Sequence, residues 1–250
     1  MSNKIRRFGL IGYPLSHSFS PGYFAAKFER EGLADCRYEA YPLASLNLLP
    51  KLLAENPNLE GLNVTIPYKS SVMTLLDEIS DEARSIGAVN IIKIKDGKLI
   101  GHNSDVYGFE VSLRNFLPNP LPQGMKALVL GTGGAAKAVL FVLGKMGIPF
   151  QSVSRQAGAK NIGYEAISKE ILQSHRLVVN TTPLGMSPDI NACPPIPYHW
   201  LTPHHHCYDL VYNPEKTRFL ALAQAAGCPI QNGLPMLYLQ AERAWEIWNE

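Results

Sequence analysis

The chain has 250 residues, of which 46% are hydrophobic and 18% charged, and its formal net charge is +2 at pH 7. This composition fits a globular protein of one or two domains and excludes a disordered chain. The basic residues are interspersed, so no nucleic-acid-binding stripe or membrane span is visible. The four cysteines lie far apart without a C-x-x-C pair, which argues against a disulfide framework or metal site and favours the reducing cytoplasm.

The first hundred residues alternate between strand-like and helix-like patterns, which predicts a mainly parallel α/β sheet covered by helices. The first helix is expected to have Ser20 as its N-cap and Pro21 as its first residue, and to stop at Gly32. The predicted elements are strands at 5–12, 36–41 and 59–66, helices at 20–31, 46–55 and 81–86, and a hairpin of 89–94 with 98–102.

The stretch GLNVTIPYK is the most informative part of this half. Its alternation puts Leu62, Val64 and Ile66 on one strand face, whereas Asn63 and Thr65 point together from the other.

Pro67 in this stretch suits the first turn of a helix over 68–79. Such a helix would place Lys69 near its positive end, an unfavourable position for a purely structural cation. There Lys69 would release its proton more readily, so it could exchange a proton with a substrate if a carboxylate held it in place.

A second unit is predicted after the proline-rich stretch 117–124, which resembles a linker. Its expected elements are strands at 126–130, 150–154, 177–180 and 208–211 and helices at 136–146, 217–226 and 237–248. Between the first strand and helix lies Gly131-x-Gly133-x-x-Ala136, the spacing of a dinucleotide-binding turn. The strand-turn-helix context favours nucleotide binding over a merely structural turn.

The end of the strand at 150–154 suggests which nucleotide binds. An NAD site usually offers an acidic residue there for the ribose hydroxyls, but this chain reads Ser154-Arg155-Gln156. An arginine can pair with a 2′-phosphate, so NADP is preferred, with an ordinary solvated arginine as the alternative.

Other polar motifs have both a structural and a functional interpretation. Asp105 could cap a helix or hold Lys69, and Ser20 could cap a helix, which would leave Ser18 unexplained. The stretch Asn180-Thr-Thr could be an ordinary turn or a ligand-binding strand end. The run His204-His-His206 is interpreted as solvated, because consecutive histidines cannot all face one ion.

Taken in order, these segments resemble the shikimate dehydrogenase family over essentially the whole chain. The resemblance rests on eight motifs: His17-Ser-Phe-Ser-Pro21, Asn63-Val-Thr-Ile-Pro-Tyr-Lys69, Gly87-Ala-Val-Asn90, Asn103-Ser-Asp105, Gly131-Thr-Gly-Gly-Ala135, Asn180-Thr-Thr-Pro-Leu-Gly-Met186, Asp209-Leu-Val-Tyr-Asn-Pro214 and Asn232-Gly-Leu-Pro-Met236.

The resemblance implies reversible NADPH-dependent reduction of 3-dehydroshikimate to shikimate in aromatic amino-acid biosynthesis, with Lys69 transferring the proton and Asp105 as its partner. The substrate positions it implies are Ser18, Ser20, Asn63, Thr65, Lys69, Asn90, Asp105, Tyr212 and Gln240. The cofactor positions it implies are Gly131, Thr132, Gly133, Gly134, Ala135, Ser154, Arg155, Leu210 and Gly233.

The family's architecture implies a substrate domain made of 1–104 and 232–250 and a Rossmann-like NADP domain at 105–231. The C-terminal helix would return to the substrate domain and carry Gln240 with it. The expected partner is the small-molecule substrate, without nucleic acid, membrane or metal, and a homodimer is compatible with these expectations.

Three departures from the family pattern bear on these expectations. Ser154 and Gln156 replace the usual neighbours of Arg155, Ser104 replaces a threonine, and Pro235 stands where glycine is usual. The alternatives are therefore a quinate/shikimate dehydrogenase that uses NAD and, in another class, a non-catalytic ligand-binding or sensor protein on the same fold. Retention of both Lys69 and Asp105 argues against the second.

Overall fold

The structure is a computed structural model that describes residues 5–15 and 18–250. The chain forms two compact units: unit 1 runs to Ser104 and also contains Ala241–Glu250, and unit 2 is Asp105–Gln240. Within the described residues each unit contains one six-stranded sheet, which confirms the α/β class. None of the helices in these residues has both the length and the apolar character needed to cross a bilayer.

Unit 1 contains a mixed sheet with strand order β2-β1-β3-β5-β6-β4. Its strands are β1 Arg6–Gly12, β2 Cys36–Pro42, β3 Leu59–Val64, β4 Glu78–Ile79, β5 Ile91–Lys95 and β6 Lys98–His102. Its α-helices are α1 Phe19–Arg30, α2 Leu49–Glu55 and α3 Asp81–Ile86. The strand β1 is parallel to β2 and β3, whereas β5 is antiparallel to β3 and β6, so both the parallel half and the hairpin are confirmed.

Unit 2 contains a parallel sheet with strand order β12-β11-β10-β7-β8-β9. Its strands are β7 Ala127–Leu130, β8 Phe150–Ser154, β9 Asn161–Gly163, β10 Leu177–Asn180, β11 His206–Asp209 and β12 Ile230–Gln231. Its helices are α4 Asp105–Phe116, α5 Gly134–Lys145, α6 Lys169–Ser174 and α7 Arg218–Ala225, and α8 Leu234–Asn249 continues into unit 1. This is the strand order of doubly wound dinucleotide-binding folds, with the switch point between β7 and β10.

The end of α8 completes the core of unit 1. Ala244 and Trp248 are buried with Phe8 and Phe24 in one apolar cluster. A Cβ atom at Gly61 would lie 2.3 Å from the Trp248 ring, so the absence of a side chain on β3 makes room for the indole.

The strand β3 ends earlier than the alternation predicts. Leu62 and Val64 are 0% and 2% exposed, but Ile66, which was predicted to share their face, is 74% exposed. The chain turns after Val64, and a hydrogen bond from the Tyr68 amide to the Thr65 carbonyl (2.9 Å) closes the turn. This turn takes Ile66 out of the strand's alternation, so that part of the prediction is wrong.

The α-helix predicted over 68–79 is also wrong. A five-residue 3-10 helix, Ser71–Leu75, and the short strand β4 take its place. The hydroxyls of Ser71 and Thr74 donate to the carbonyls of Tyr68 (3.4 Å) and Ser71 (3.0 Å), and the Tyr68 carbonyl also accepts the Val72 amide (2.9 Å). Lys69 does not lie at an α-helical N-terminus, and the helix-dipole argument does not apply to it.

Candidate functional site

A polar cluster lies at the carboxyl end of β3 in unit 1. The Asn63 side chain accepts a hydrogen bond from the Tyr38 hydroxyl (2.7 Å) and donates one to the Asn90 carbonyl (3.5 Å). Thr65 follows in a half-buried position, where its amide donates to the Ile11 carbonyl (2.9 Å). The structure thus brings the predicted residues Asn63 and Asn90 together and adds Tyr38, which the sequence did not single out.

Asn90 links this cluster to the end of unit 1. Its side-chain amide donates to the Ser104 hydroxyl (3.1 Å), and its side-chain oxygen accepts from the Ser104 amide (2.7 Å). The neighbouring Val89 amide donates to the main-chain carbonyl of Lys69 (2.7 Å). Lys69 is half-buried, and Asp105, which follows Ser104, is 7% exposed as the first residue of α4. The pairing of the Lys69 amine with the Asp105 carboxylate stays a prediction.

The serine loop enters α1 differently from the prediction. The helix begins at Phe19, so Ser18 occupies the N-cap position and Ser20 lies in the first turn. The Ser18 hydroxyl makes no capping hydrogen bond. Ser20 interacts with the Tyr38 hydroxyl. Burial raises the pKa of Tyr38, and the hydrogen bond from Ser20 lowers it by a smaller amount. Ser16 and His17 of this motif lie outside the described residues.

The glycine-rich turn of unit 2 has the features that close approach of a phosphate group requires. Gly131 has a φ of +111°, and a Cβ atom there would lie 2.6 Å from the Thr181 hydroxyl. At Gly133, the N-cap of α5, and at Gly134, a Cβ atom would point into open space. Thr132 is exposed and Ala135 half-buried beside them. Main-chain amides at this turn are therefore accessible to a pyrophosphate, as in dinucleotide-binding folds.

The end of β8 lies next to this turn, because the Gly131 amide donates to the Val153 carbonyl (2.8 Å). Ser154 is held by Asn161, whose side-chain amide donates to the Ser154 hydroxyl (2.7 Å). Arg155 follows with an exposed side chain. Burial raises the pKa of Tyr164, and the charge of Arg155 acts in the opposite direction. An exposed guanidinium beside the turn fits a 2′-phosphate-binding role.

Leu210 and Gly233, predicted from distant motifs, are brought together. A Cβ atom at Gly233 would lie 2.0 Å from the Leu210 carbonyl oxygen, and the Gly233 amide donates to the Val211 carbonyl (3.2 Å). Tyr212 is half-buried after Val211, and burial raises the pKa of its phenol. Gln240 is also half-buried and donates its side-chain amide to the Leu237 carbonyl (2.9 Å).

A buried polar network at the ends of β10 and β11 was not predicted. The Asp209 carboxylate accepts hydrogen bonds from the Asn180 side chain (2.9 Å), the Val211 amide (3.0 Å) and the Thr217 hydroxyl (2.6 Å). The Asn180 oxygen accepts from the Thr182 hydroxyl (2.7 Å). Burial raises the pKa of Asp209 to about 6, although these hydrogen bonds lower it. The only sequence signal was the polar residue at the end of each strand.

The prediction that the histidine run is solvated is wrong for His205, which is 2% exposed. Its ring accepts a hydrogen bond from the Thr202 amide (3.0 Å) at Nδ1 and lies 3.0 Å from the Leu172 carbonyl at Nε2. His206 begins β11, and burial lowers its pKa. Among the described residues, no group of three or more potential ligands is arranged to hold a metal ion.

Known proteins resemble this chain over almost its full length. A family profile described as the shikimate dehydrogenase substrate binding domain matches residues 10–92. The shikimate dehydrogenases (NADP(+)) of Desulforamulus reducens and Oleidesulfovibrio alaskensis are 37% and 41% identical to it, and the alignments cover 99% and 96% of this chain and 91% and 88% of theirs.

A solved structure of the shikimate 5-dehydrogenase from Thermus thermophilus, in complex with NADP(H) and shikimate, has a TM-score of 0.84 to this chain. The two are 36% identical, with 97% of this chain and 93% of that chain covered. Identities and coverages of this size show that the chain belongs to the shikimate dehydrogenase family.

Proposed function

We propose that this protein is an NADP-dependent shikimate dehydrogenase that reversibly reduces 3-dehydroshikimate to shikimate in aromatic amino-acid biosynthesis. The observation that supports it best is the hydrogen-bonded cluster of Asn63, Asn90 and Ser104, which adjoins Lys69 through Val89 and leads directly into Asp105. Unit 1 is the substrate-binding part and unit 2 the NADP-binding part.

When bound, NADPH supplies the hydride that adds to the substrate's carbonyl carbon. Lys69 donates a proton to the carbonyl oxygen, which becomes a hydroxyl of shikimate, and Asp105 holds the Lys69 ammonium in place by an ion pair. The main chain of Lys69 is anchored to Val89, and Ser104 is anchored to Asn90, so both partners extend from supported main chain.

The remaining site residues bind and orient the two molecules. The substrate's carboxylate and hydroxyls are held by Ser18, Ser20, Asn63, Thr65, Asn90, Tyr212 and Gln240. The cofactor's pyrophosphate would be held by main-chain groups of the turn from Gly131 to Ala135, and Leu210 and Gly233 would also contact the cofactor. Ser154 and Arg155 bind the 2′-phosphate, and the exposed guanidinium supports the choice of NADP.

We also infer that the enzyme acts in the cytoplasm, as a homodimer without a nucleic-acid partner. The free thiols of all four cysteines support a reducing compartment. Sedimentation equilibrium of the purified protein measures the oligomeric state, and a single monomeric species would contradict the dimer.

An assay of the purified protein with 3-dehydroshikimate tests the activity, with loss of reduced cofactor followed by absorbance. We expect turnover with NADPH, weaker turnover with NADH and little oxidation of quinate with NAD. Folded protein that binds NADPH without turnover would support a binding or sensor protein. Equal or greater rates with quinate and NAD would support the quinate/shikimate dehydrogenase.

A further inference from the structure

Tyr38, a residue of β2, is a polar member of the unit 1 cluster with no role in the proposed reaction. Its ring stacks on Phe24 of α1, with centroids 4.5 Å apart and planes 13° from parallel. The centroid of the Trp248 ring lies 6.3 Å from that of Tyr38. Trp248 is itself anchored, because its indole N–H donates to the Ile92 carbonyl (3.2 Å). The direction of the Tyr38 hydroxyl is therefore set by rigid neighbours.

The hydrogen bonds around Asn63 determine which way its carboxamide faces. The Asn90 carbonyl can only accept, so the Asn63 atom 3.5 Å from it must be the nitrogen. The oxygen then faces Tyr38, and Tyr38 must donate the 2.7 Å hydrogen bond. Burial raises the pKa of Tyr38 well above its ordinary value, so the phenol keeps this proton at any pH at which the enzyme works.

One N–H bond of Asn63 is left over in this arrangement. Among residues 5–15 and 18–250, the Asn63 nitrogen donates to the Asn90 carbonyl alone. Without the Tyr38 hydroxyl, the carboxamide oxygen would lose its buried donor, and within the described residues only the 3.5 Å hydrogen bond to the Asn90 carbonyl would hold the Asn63 amide. The amide would then tilt more freely, and its second N–H would be less precisely aimed at a bound hydroxyl.

We propose that Tyr38 is a positioning residue of the substrate site, whose hydroxyl holds the Asn63 carboxamide so that an N–H is presented to a substrate hydroxyl oxygen. This inference rests on the proposed function, in which Asn63 contacts the substrate. It also identifies what Asn63 recognises, because a fixed N–H selects a hydrogen-bond acceptor at that position of the ligand.

Tyr38→Phe tests the inference, because it removes the hydroxyl and keeps the ring that stacks on Phe24. We expect the KM for 3-dehydroshikimate to rise by about 3- to 10-fold, the range for one lost neutral hydrogen bond, with the KM for NADPH unchanged. Tyr41→Phe is the matched control, because Tyr41 lies on the same strand and its hydroxyl bonds Glu39 (2.9 Å). It should leave both KM values unchanged.

A double-mutant cycle separates positioning from packing. In the Asn63→Ala background, Tyr38→Phe should raise the KM for 3-dehydroshikimate by a smaller factor than in the wild-type background, because no carboxamide remains to be held and only the interaction with Ser20 is lost. An unchanged KM in the single Tyr38→Phe variant would overturn the inference, as would the same fold-change in both backgrounds.

Different results would refute the proposed function and the role of Tyr38. Wild-type protein without turnover of 3-dehydroshikimate refutes the function. Active wild-type protein with a normal Tyr38→Phe variant refutes only the role of Tyr38. Calorimetric titration with shikimate alone gives a second reading of the same variants, in which the Kd should rise for Tyr38→Phe and not for Tyr41→Phe.

Discussion

Asn180 donates its side-chain amide to the Asp209 carboxylate at 2.9 Å, and both side chains are fully buried. The bond ties the end of β10 to the end of β11, immediately before Leu210, for which we propose a cofactor contact. Thr217 supplies a further hydrogen bond of 2.6 Å from the start of α7. These hydrogen bonds to the buried Asp209 fix the geometry of this edge of unit 2. Because Asp209 can gain or lose a proton, they also make the stability of the protein dependent on pH.

We expect wild-type protein to lose stability relative to Asp209→Asn as pH rises from about 4 to about 6. The folded state retains the Asp209 proton in this range, whereas the unfolded chain has released it, so deprotonation favours unfolding. From the ordinary pKa of 3.8 to about 6, at 1.36 kcal/mol per pKa unit, the loss totals about 3 kcal/mol. Urea unfolding across this range measures it, with exposed Asp189→Asn as the control. A constant difference between wild type and Asp209→Asn would contradict the prediction.

Replacing Lys69 by alanine should lower kcat by about 10²- to 10⁴-fold, because the general acid is lost. The side chain is half-buried, so the unfolding temperature should change little. Lys98→Ala is the control, since Lys98 is 60% exposed in an ion pair with Glu78 and its loss should not affect turnover. Steady-state rates and thermal melts of both variants test this prediction. Normal turnover in Lys69→Ala would refute the role of Lys69 as the general acid.

Gly133→Ala should weaken NADP binding while leaving the protein folded. Its φ of −77° suits alanine and no atom lies within 4 Å of the added Cβ, so the unfolding free energy should fall by no more than about 1 kcal/mol, the cost of a poorer N-cap residue. The methyl group would instead hinder the pyrophosphate and raise the Kd for NADP by about tenfold or more.

Gly144→Ala on the same helix is the control for Gly133→Ala. Its Cβ also meets open space, and alanine should add about 0.5–1 kcal/mol of helix stability and leave the Kd unchanged. Fluorescence titration measures both variants. If the two alanines affected NADP binding equally, the turn would not be the phosphate site.

Arg155→Ala should reduce kcat/KM for NADPH by about 10- to 100-fold and leave that for NADH nearly unchanged, because only NADPH has the 2′-phosphate. Arg176→Ala, another exposed arginine in unit 2, should affect neither cofactor. Initial rates with both cofactors test this prediction. An equal loss of kcat/KM with NADPH and NADH would show that Arg155 does not bind the 2′-phosphate.

The elements that the sequence predicted best are those with local signals. The strands β8 and β10 and the helix α3 have the predicted bounds. The strand β10 is a short apolar run, which specifies a buried parallel strand. Ser80 caps α3, and Gly87 ends it in a left-handed conformation. The α-helix predicted over 68–79 was wrong: only a 3-10 helix, Ser71–Leu75, forms there, and a pattern of apolar positions does not distinguish the two helix types.

The site contacts that went unpredicted join residues far apart in the sequence. Tyr38 and Asn63 are separated by 25 positions and Asn180 and Asp209 by 29. A tyrosine in a strand has the pattern of a packing residue, and an aspartate at a strand end has that of a turn residue. Only the sheet order, with β1 between β2 and β3, brings the Tyr38 hydroxyl to Asn63.

The return of α8 to unit 1 has a consequence for synthesis on the ribosome. The cluster around Phe8 and Phe24 is complete only when Ala244 and Trp248 have joined it. Unit 2 is continuous in sequence and can fold once Gln240 has emerged. The half of the protein made first is therefore finished last, and until then the Phe8 face of its sheet lacks part of its apolar cover.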